Sequence, residues 1–230
     1  MSVSFLEARR ALSAEANKRV ADLRLLLAEK FPTAPLRGAG TLATGVGAID
    51  RVEGGLRVGA MTEICGSPAA NSLILSALLS MLGEERRLGA LVDCGSFFDP
   101  TSFQPASLKR LLWVRCGLPA QCVKAADLLL RDGNLSLVVV DLQGAELRGG
   151  WNAPGTWHRF QRVVEQSNMA LAVMTSRSFV EGASVRIAAE WRWDFEAITE
   201  RRGELLAQVG ARVSARRRLA TEDCAELRTA

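Results

Sequence analysis

Apolar positions recur along this chain in two different periods. Over residues 4–30, Leu12, Ala16, Val20, Leu23 and Leu27 are spaced by fours and threes, while Arg9, Arg10, Lys18, Arg19, Arg24 and Lys30 take the other faces. That spacing predicts one amphipathic helix. Phe31-Pro32-Thr33-Ala34-Pro35 stops it, because proline disfavours helix in the residue before it. A lone helix ahead of a linker has nothing of its own to pack on, so it must dock on the core or on another molecule. From Thr41 onward, strand-like and helix-like stretches alternate. Ala60–Cys65, Gly89–Asp93, Leu111–Arg115, Leu135–Val140 and Met169–Thr175 read as strands; Leu73–Leu82, Ala120–Arg131 and Trp157–Ser167 read as helices. The strongest apolar, β-branched run is Leu135–Val140, and it ends in Asp141. Strands alternating with helices predict an α/β fold with a mostly parallel central sheet covered on both faces.

After Val185 the period becomes two. Ala189–Phe195 and Ala207–Arg216 alternate, with Ala207, Val209, Ala211, Val213 and Ala215 on one face and Gln208, Gly210, Arg212, Ser214 and Arg216 on the other. With Glu200-Arg201-Arg202-Gly203 as the turn, this predicts a C-terminal β-hairpin flanking the parallel sheet. The expected organisation is a helix and linker over 1–35, a core over 41–220 and a polar tail over 221–230.

Length and composition narrow the class. A chain of 230 residues, 48% hydrophobic and 23% charged, suffices for one well-buried core plus an extension and excludes the disordered and fibrous classes. No apolar run reaches the roughly 18 residues of a membrane span, and Met1–Glu7 lack the apolar stretch of a signal peptide, so a soluble cytoplasmic protein without a membrane partner is expected. Net charge is +4, but residues 201–218 hold Arg201, Arg202, Arg212, Arg216, Arg217 and Arg218 against Glu204 alone, a local excess of six minus one. A basic edge of this kind suits an acidic partner such as nucleic acid, nucleotide or an acidic protein face. The cysteines, Cys65, Cys94, Cys116, Cys122 and Cys224, are odd in number and form no C-x-x-C pair, so neither a disulfide framework nor a zinc site is indicated. Cys65 and Cys94 read as core thiols. A single histidine, His158, argues against a histidine metal centre or a Ser-His-Asp triad.

Ligands of parallel sheets bind at the carboxyl ends of strands. Two such ends stand out: the strand, small-residue loop and helix of Glu63–Leu73, and Val138-Val139-Val140-Asp141. Together they have the layout of a P-loop NTPase, in which backbone N–H groups and a lysine cradle phosphates and the distal Asp helps hold Mg²⁺. Laid on Gly66, the pattern G-x-x-x-x-G-K-[ST] puts Asn71 at the second glycine, Ser72 at the lysine and Leu73 at the metal-binding hydroxyl. A lysine about 4 Å from phosphate is worth roughly 4 kcal/mol at an effective dielectric near 20, whereas a helix N-terminus alone supplies about 0.3–1 kcal/mol. Tight Mg-ATP binding is therefore not expected, and no cofactor or metal is assigned.

The resemblance extends beyond the loop. Thr41–Gly66, with T-G-V-G-A-I-D, G-G-L-R-V-G and E-I-C-G, is similar to the entry of the RecA recombinase core. Leu91–Pro100 resembles the RecA segment that carries the catalytic glutamate: Asp93, Asp99 and Pro100 match, but the glutamate position is Gly95. Val138–Asp141 falls where the Walker B strand belongs, and Met169–Arg177 resembles the next strand, with Thr175 and Ser176 at the nucleotide-sensing pair. The resemblance thus implies a RecA-like P-loop core whose nucleotide site, marked by Gly66, Asn71, Ser72, Leu73, Gly95 and Asp141, has lost lysine, hydroxyl and glutamate. Its first DNA-binding loop would be Leu142–Thr156, in which Arg148 would meet phosphate and Trp151 would stack on a base or pack on its own core. The second, Arg177–Ser184, looks too short to line a single strand, with Arg177 as its candidate DNA contact. Val213–Ala220 resembles the strand whose lysines reach a neighbour's ATP across the filament, which places Arg216, Arg217 and Arg218 at a partner interface. The N-terminal helix, with Leu12, Val20, Leu23 and Leu27, has a RecA counterpart that docks on the adjacent subunit.

Short RecA-like chains without a working P-loop resemble the ImuA family of mutagenesis accessory proteins. That likeness implies a non-catalytic, nucleoid-associated role in the SOS response and translesion synthesis, joining RecA or a RecA-like filament, a Y-family-like mutasome polymerase component and, weakly, DNA. SulA-type division inhibitors share the decayed fold and form an alternative. A further alternative is a divergent ATPase with Asp141 and Asp93 as metal ligands and a finger arginine or Lys109 as phosphate clamp.

Overall fold

A computed structural model describes residues 18, 19, 22, 26, 40–145, 151–191, 195, 197 and 199–216. The chain divides into two compact units, Met1–Ala34 and Pro35–Ala230. In the first, Lys18, Arg19, Asp22 and Leu26 are helical, in agreement with the predicted helix. Leu12, Val20, Leu23 and Leu27 lie outside the described residues.

The second unit opens with a small antiparallel pair, β1 (Thr41–Leu42) on β2 (Leu56–Arg57), around helix α1 (Gly47–Glu53). The central sheet comprises β3 (Met61–Gly66), β4 (Gly89–Cys94), β5 (Leu111–Cys116), β6 (Leu137–Asp141), β7 (Ala170–Thr175), β8 (Val185–Glu190) and β9 (Gly210–Arg216). Its order is β5-β4-β6-β7-β3-β8-β9, and every neighbouring pair is parallel except β8–β9. Helices α2 (Pro68–Glu84), α3 (Pro105–Leu108), α4 (Pro119–Asp132), α5 (Pro154–Glu165) and α6 (Arg202–Gln208) complete the α/β architecture. Among the described residues no helix is long and apolar enough to cross a membrane.

The predicted strands β3, β4, β6 and β7 form because their runs are buried on both faces, while β5, at the sheet edge, is partly exposed. In β6, Leu137 and Val139 join one core with Ile64, Leu91 and Met174, under α2; Val138 and Val140 join the other with Leu171 and Val173, under α4 and α5. Full burial of each such side chain contributes about 1.5–3 kcal/mol. Helix α2 is apolar nearly all round, burying Ile74, Leu75, Leu78, Leu79 and Leu82, because α3 and α6 cover the side that the sheet does not. From β3 the chain steps through β4 to the β5 edge, then reverses through β6 to β7. Strands β4 and β6 are neighbours whose onward connections run in opposite directions, and such a point opens a crevice at the carboxyl ends.

The C-terminal region departs from the predicted hairpin. Strand β8 begins at Val185 rather than Ala189 and runs parallel to β3, and the residues read as a turn are the start of α6. Glu204 explains this: its Oε2 accepts the Arg201 N–H at 2.7 Å, the reciprocal bond of a capping box. Strands β8 and β9 are antiparallel neighbours with a register shift at Arg186/Ile187, joined through a helix instead of a tight turn. Within β9 the predicted faces hold, with Ala211 and Val213 packed on the core and Arg212 and Ser214 exposed.

Candidate functional site

The junction where a phosphate cradle is expected is one residue long. Strand β3 ends at Gly66 and α2 begins at Pro68, leaving only Ser67 between them. Ser67 caps the helix: its Oγ accepts the Ala70 N–H at 3.2 Å and its carbonyl accepts the Asn71 N–H at 3.0 Å. Pro68 has no N–H. A P-loop holds phosphate with free N–H groups of a wound turn; here residues 68–71 are the first helical turn, in which the Ala70 and Asn71 donors are bonded to Ser67 and Pro68 has none. Asn71 is fully buried, and its Nδ2 donates to the carbonyls of Thr175 at 3.1 Å and Gly66 at 3.4 Å, tying β7 to β3. Gly66 is needed for that approach, since a Cβ there would stand 3.0 Å from Asn71 Oδ1 and from the Ala189 carbonyl.

Asp93 and Asp141 are register partners on β4 and β6, both buried. Asp93 holds the turn that follows its own strand, accepting the N–H groups of Phe97 at 3.1 Å and Phe98 at 3.4 Å and the Trp113 indole at 3.2 Å. Asp141 accepts from the Gln143 N–H at 3.0 Å and from Gln143 Nε2 at 3.1 Å. Burial pushes the Asp141 carboxyl up to about 6, with the Asp93 charge adding to the rise and the Gln143 hydrogen bonds opposing it. Gly95 has φ +104°, and a Cβ there would come within 2.9 Å of the Phe97 ring.

Ser72, Leu73 and Asp141 do come together, around a cavity of about 320 Å³. Its other walls include Phe98, Phe103 and Trp191, unforeseen from the sequence, together with Asp99 and Arg202. The run Phe97-Phe98-Asp99, following directly on a strand's carboxyl end, is the signal that could have found them. Asp99 is exposed and caps a short 3₁₀ turn, Pro100–Ser102; hydrogen bonds from Thr101 and then Ser102 hold its carboxyl below the ordinary value.

Glu63 is a second polar centre that the sequence concealed. Fully buried in β3, it accepts from Ser178 Oγ at 2.9 Å, from the N–H groups of Phe179 at 2.8 Å and Val180 at 3.1 Å, and from Thr175 Oγ1 at 3.3 Å, and it pairs with Arg186. Thr175, read as half of a sensing pair, is thus turned into the core, while Ser176 and Arg177 are exposed beyond it. The segment after β7 is pinned to the sheet through Glu63.

The remaining predicted contacts separate. Trp151 is buried and packs edge-on against Phe179, with centroids 5.9 Å apart, which corrects the base-stacking expectation in favour of core packing. Lys109 precedes β5 and lies at the amino ends of the strands, the opposite edge from Asp141, so it cannot clamp a phosphate there. Arg216 ends β9 opposite Val185, with its backbone alone described. Arg148, Arg217 and Arg218 lie outside the described residues. Cys94 is buried as expected and Cys65 is half-buried. No protein-family model matches the chain, and no curated protein sequence matches it.

Proposed function

We propose that this protein is a RecA-like accessory factor of the ImuA kind, acting by contact rather than by nucleotide turnover in the response to DNA damage. The observation that carries this reading is the β3–α2 junction: with Ser67 as the whole connection and its hydroxyl spent on Ala70, the turn that would wrap a triphosphate is folded into the helix. Gly95 supports it, because its left-handed φ and the Phe97 ring leave no room for a carboxylate side chain. The engagement of Asp93 with Phe97, Phe98 and Trp113 weighs against a divergent ATPase that uses both acids as metal ligands. The partners we assign are a RecA-like filament and mutasome polymerase components, reached through the N-terminal helix and the basic end of β9.

Pulldown of RecA and of the mutasome polymerase components by the full chain, compared with Arg216→Ala/Arg218→Ala, tests this. Capture that weakens in the double variant, together with no binding of Mg-ATP by calorimetry, is the expected result. Sub-millimolar Mg-ATP binding, or capture of neither partner by the unaltered chain, would overturn it.

A further inference from the structure

We propose that the cavity beside Ser72 and Asp141 receives a lysine or arginine side chain from a partner protein, an inference that rests on the contact-based reading above and names the chemistry of that contact. The walls select the ligand. Phe98, Phe103 and Trp191 supply aromatic surface, Asp99 and Asp141 supply two carboxylates, and Arg202 is the one cationic residue of the lining. An anion finds few donors here, because Pro68 has no N–H and the Ala70 and Asn71 N–H groups are bonded to Ser67, leaving Ala69 alone of that turn on the lining. A divalent metal lacks a converging set of three His, Cys, Asp or Glu side chains among the described residues. A neutral apolar group would leave Asp141 buried with Gln143 as its only hydrogen-bond donor. A cation on a long apolar stem answers both halves of the cavity, its stem along Leu73 and the rings and its charge at the carboxylates.

The chain already contains one such contact. The Arg202 guanidinium lies 4.9 Å from the Phe103 ring centroid and donates to the Ser102 carbonyl at 2.8 Å, so a cation rests on one wall while pairing with neither acid. Trp191 adds a reason to expect a peptide rather than a free amine: its buried Nε1–H has no acceptor among the described residues, and a backbone carbonyl would supply one. The volume, about 320 Å³, is at the small end of ligand pockets and suits a single long side chain.

The test titrates the full chain with acetyl-Gly-Arg-Gly-amide and with its citrulline counterpart, which matches arginine in shape but carries no charge. Nuclear magnetic resonance follows the Trp191 indole N–H and the Asp141 carboxyl carbon. The arginine peptide is expected to shift both signals and to bind at least about tenfold more tightly than citrulline, as befits one desolvated charge pair. Asp141→Asn should remove that difference, and Ser72→Trp, at an exposed position on the rim, should abolish both shifts without lowering the melting temperature. Equal affinity for the two peptides, or no shift at roughly 10 mM peptide, overturns the proposal. If the peptide fails while partner capture persists, only the cation pocket falls. If Mg-ATP displaces the peptide or moves the same two signals, the contact-based reading falls with it.

Discussion

Asp93 and Asp141 stand side by side on adjacent parallel strands, yet only Asp141 faces the cavity. Asp93 is enclosed by two backbone N–H groups and an indole, which makes it the anchor of the turn after β4. Asp141 has one neighbouring residue for its hydrogen bonds and no cation paired with it among the described residues. Burying this acid beside a second carboxylate costs stability.

That cost is measurable. The folded value of about 6 for Asp141 lies above the ordinary 3.8, so the folded chain holds this proton over a range where the unfolded chain releases it. Ionisation therefore subtracts from stability: nothing is lost below about pH 4, the loss grows between pH 4 and 6, and it is complete above that range. Asp141→Asn should raise stability at pH 7.5 by up to about 3 kcal/mol and give no gain near pH 4. An asparagine can also use Gln143 Oε1, which is buried without a partner among the described residues. Urea melts of both proteins at the two pH values check this; an equal loss at both would mean that the carboxylate is needed for packing.

Glu63 makes the opposite prediction. It gathers donors from Ser178, Phe179, Val180 and Arg186, so Glu63→Ala leaves several buried donors and a cation without an acceptor. The expected loss is about 3–5 kcal/mol. Hydrogen exchange should locate it: the Phe179 and Val180 amides lose protection first, before the β6 amides do. Protection unchanged at 179–180 would mean that the loop holds its shape without the carboxylate.

These two acids also mark the boundary of what could be read from the chain. The periodicity of Leu135–Val140 announced a doubly buried strand, and Asp141 at its end was visible as a candidate. That Asp141 lies beside Asp93 depends on strand order, which no local pattern encodes. Glu63 bonds to residues more than 110 positions away, so its role was invisible, although an acid inside a short strand-like run was a sign. The mistaken hairpin has a local cause. Ala207, Val209 and Ala211 continue the alternation of β9 by composition alone, while the adjacent Leu205 and Leu206 break it and Glu204, three residues after Arg201, signals a helix start. The want of a lysine at 72 and a hydroxyl at 73 was legible in the residue types, but the one-residue junction depends on where Ser67 caps α2.

Gly95 gives a third expectation. Its φ of +104° and the 2.9 Å approach of a Cβ to the Phe97 ring mean that even Gly95→Ala must strain the backbone or displace that ring. A loss of about 1–3 kcal/mol is expected. Phe97→Ala, at a ring 57% exposed, should itself cost little and should relieve the steric part when combined with Gly95→Ala. Thermal melts of the two single variants and the pair form a double-mutant cycle. Strict additivity would show that the ring plays no part and that φ alone is responsible.

The last prediction separates the side chains at positions 72 and 73 from the geometry of the β3–α2 junction. If only lysine and threonine stand between the β3–α2 junction and a nucleotide site, Ser72→Lys/Leu73→Thr should confer Mg-ATP binding, since one lysine near phosphate is worth roughly 4 kcal/mol. The geometry at Ser67 predicts otherwise. Position 72 is exposed in the first turns of α2, so a lysine there is tolerated, but the N–H groups of Ala70 and Asn71 stay bonded to Ser67. The double variant should therefore show no heat of binding at millimolar Mg-ATP. Pro68→Gly and Asn71→Gly, added to it, free the turn from its fixed φ and from the Thr175 staple, and only the fourfold variant is expected to bind. Binding by the double variant alone would place the defect in the side chains and leave the junction blameless.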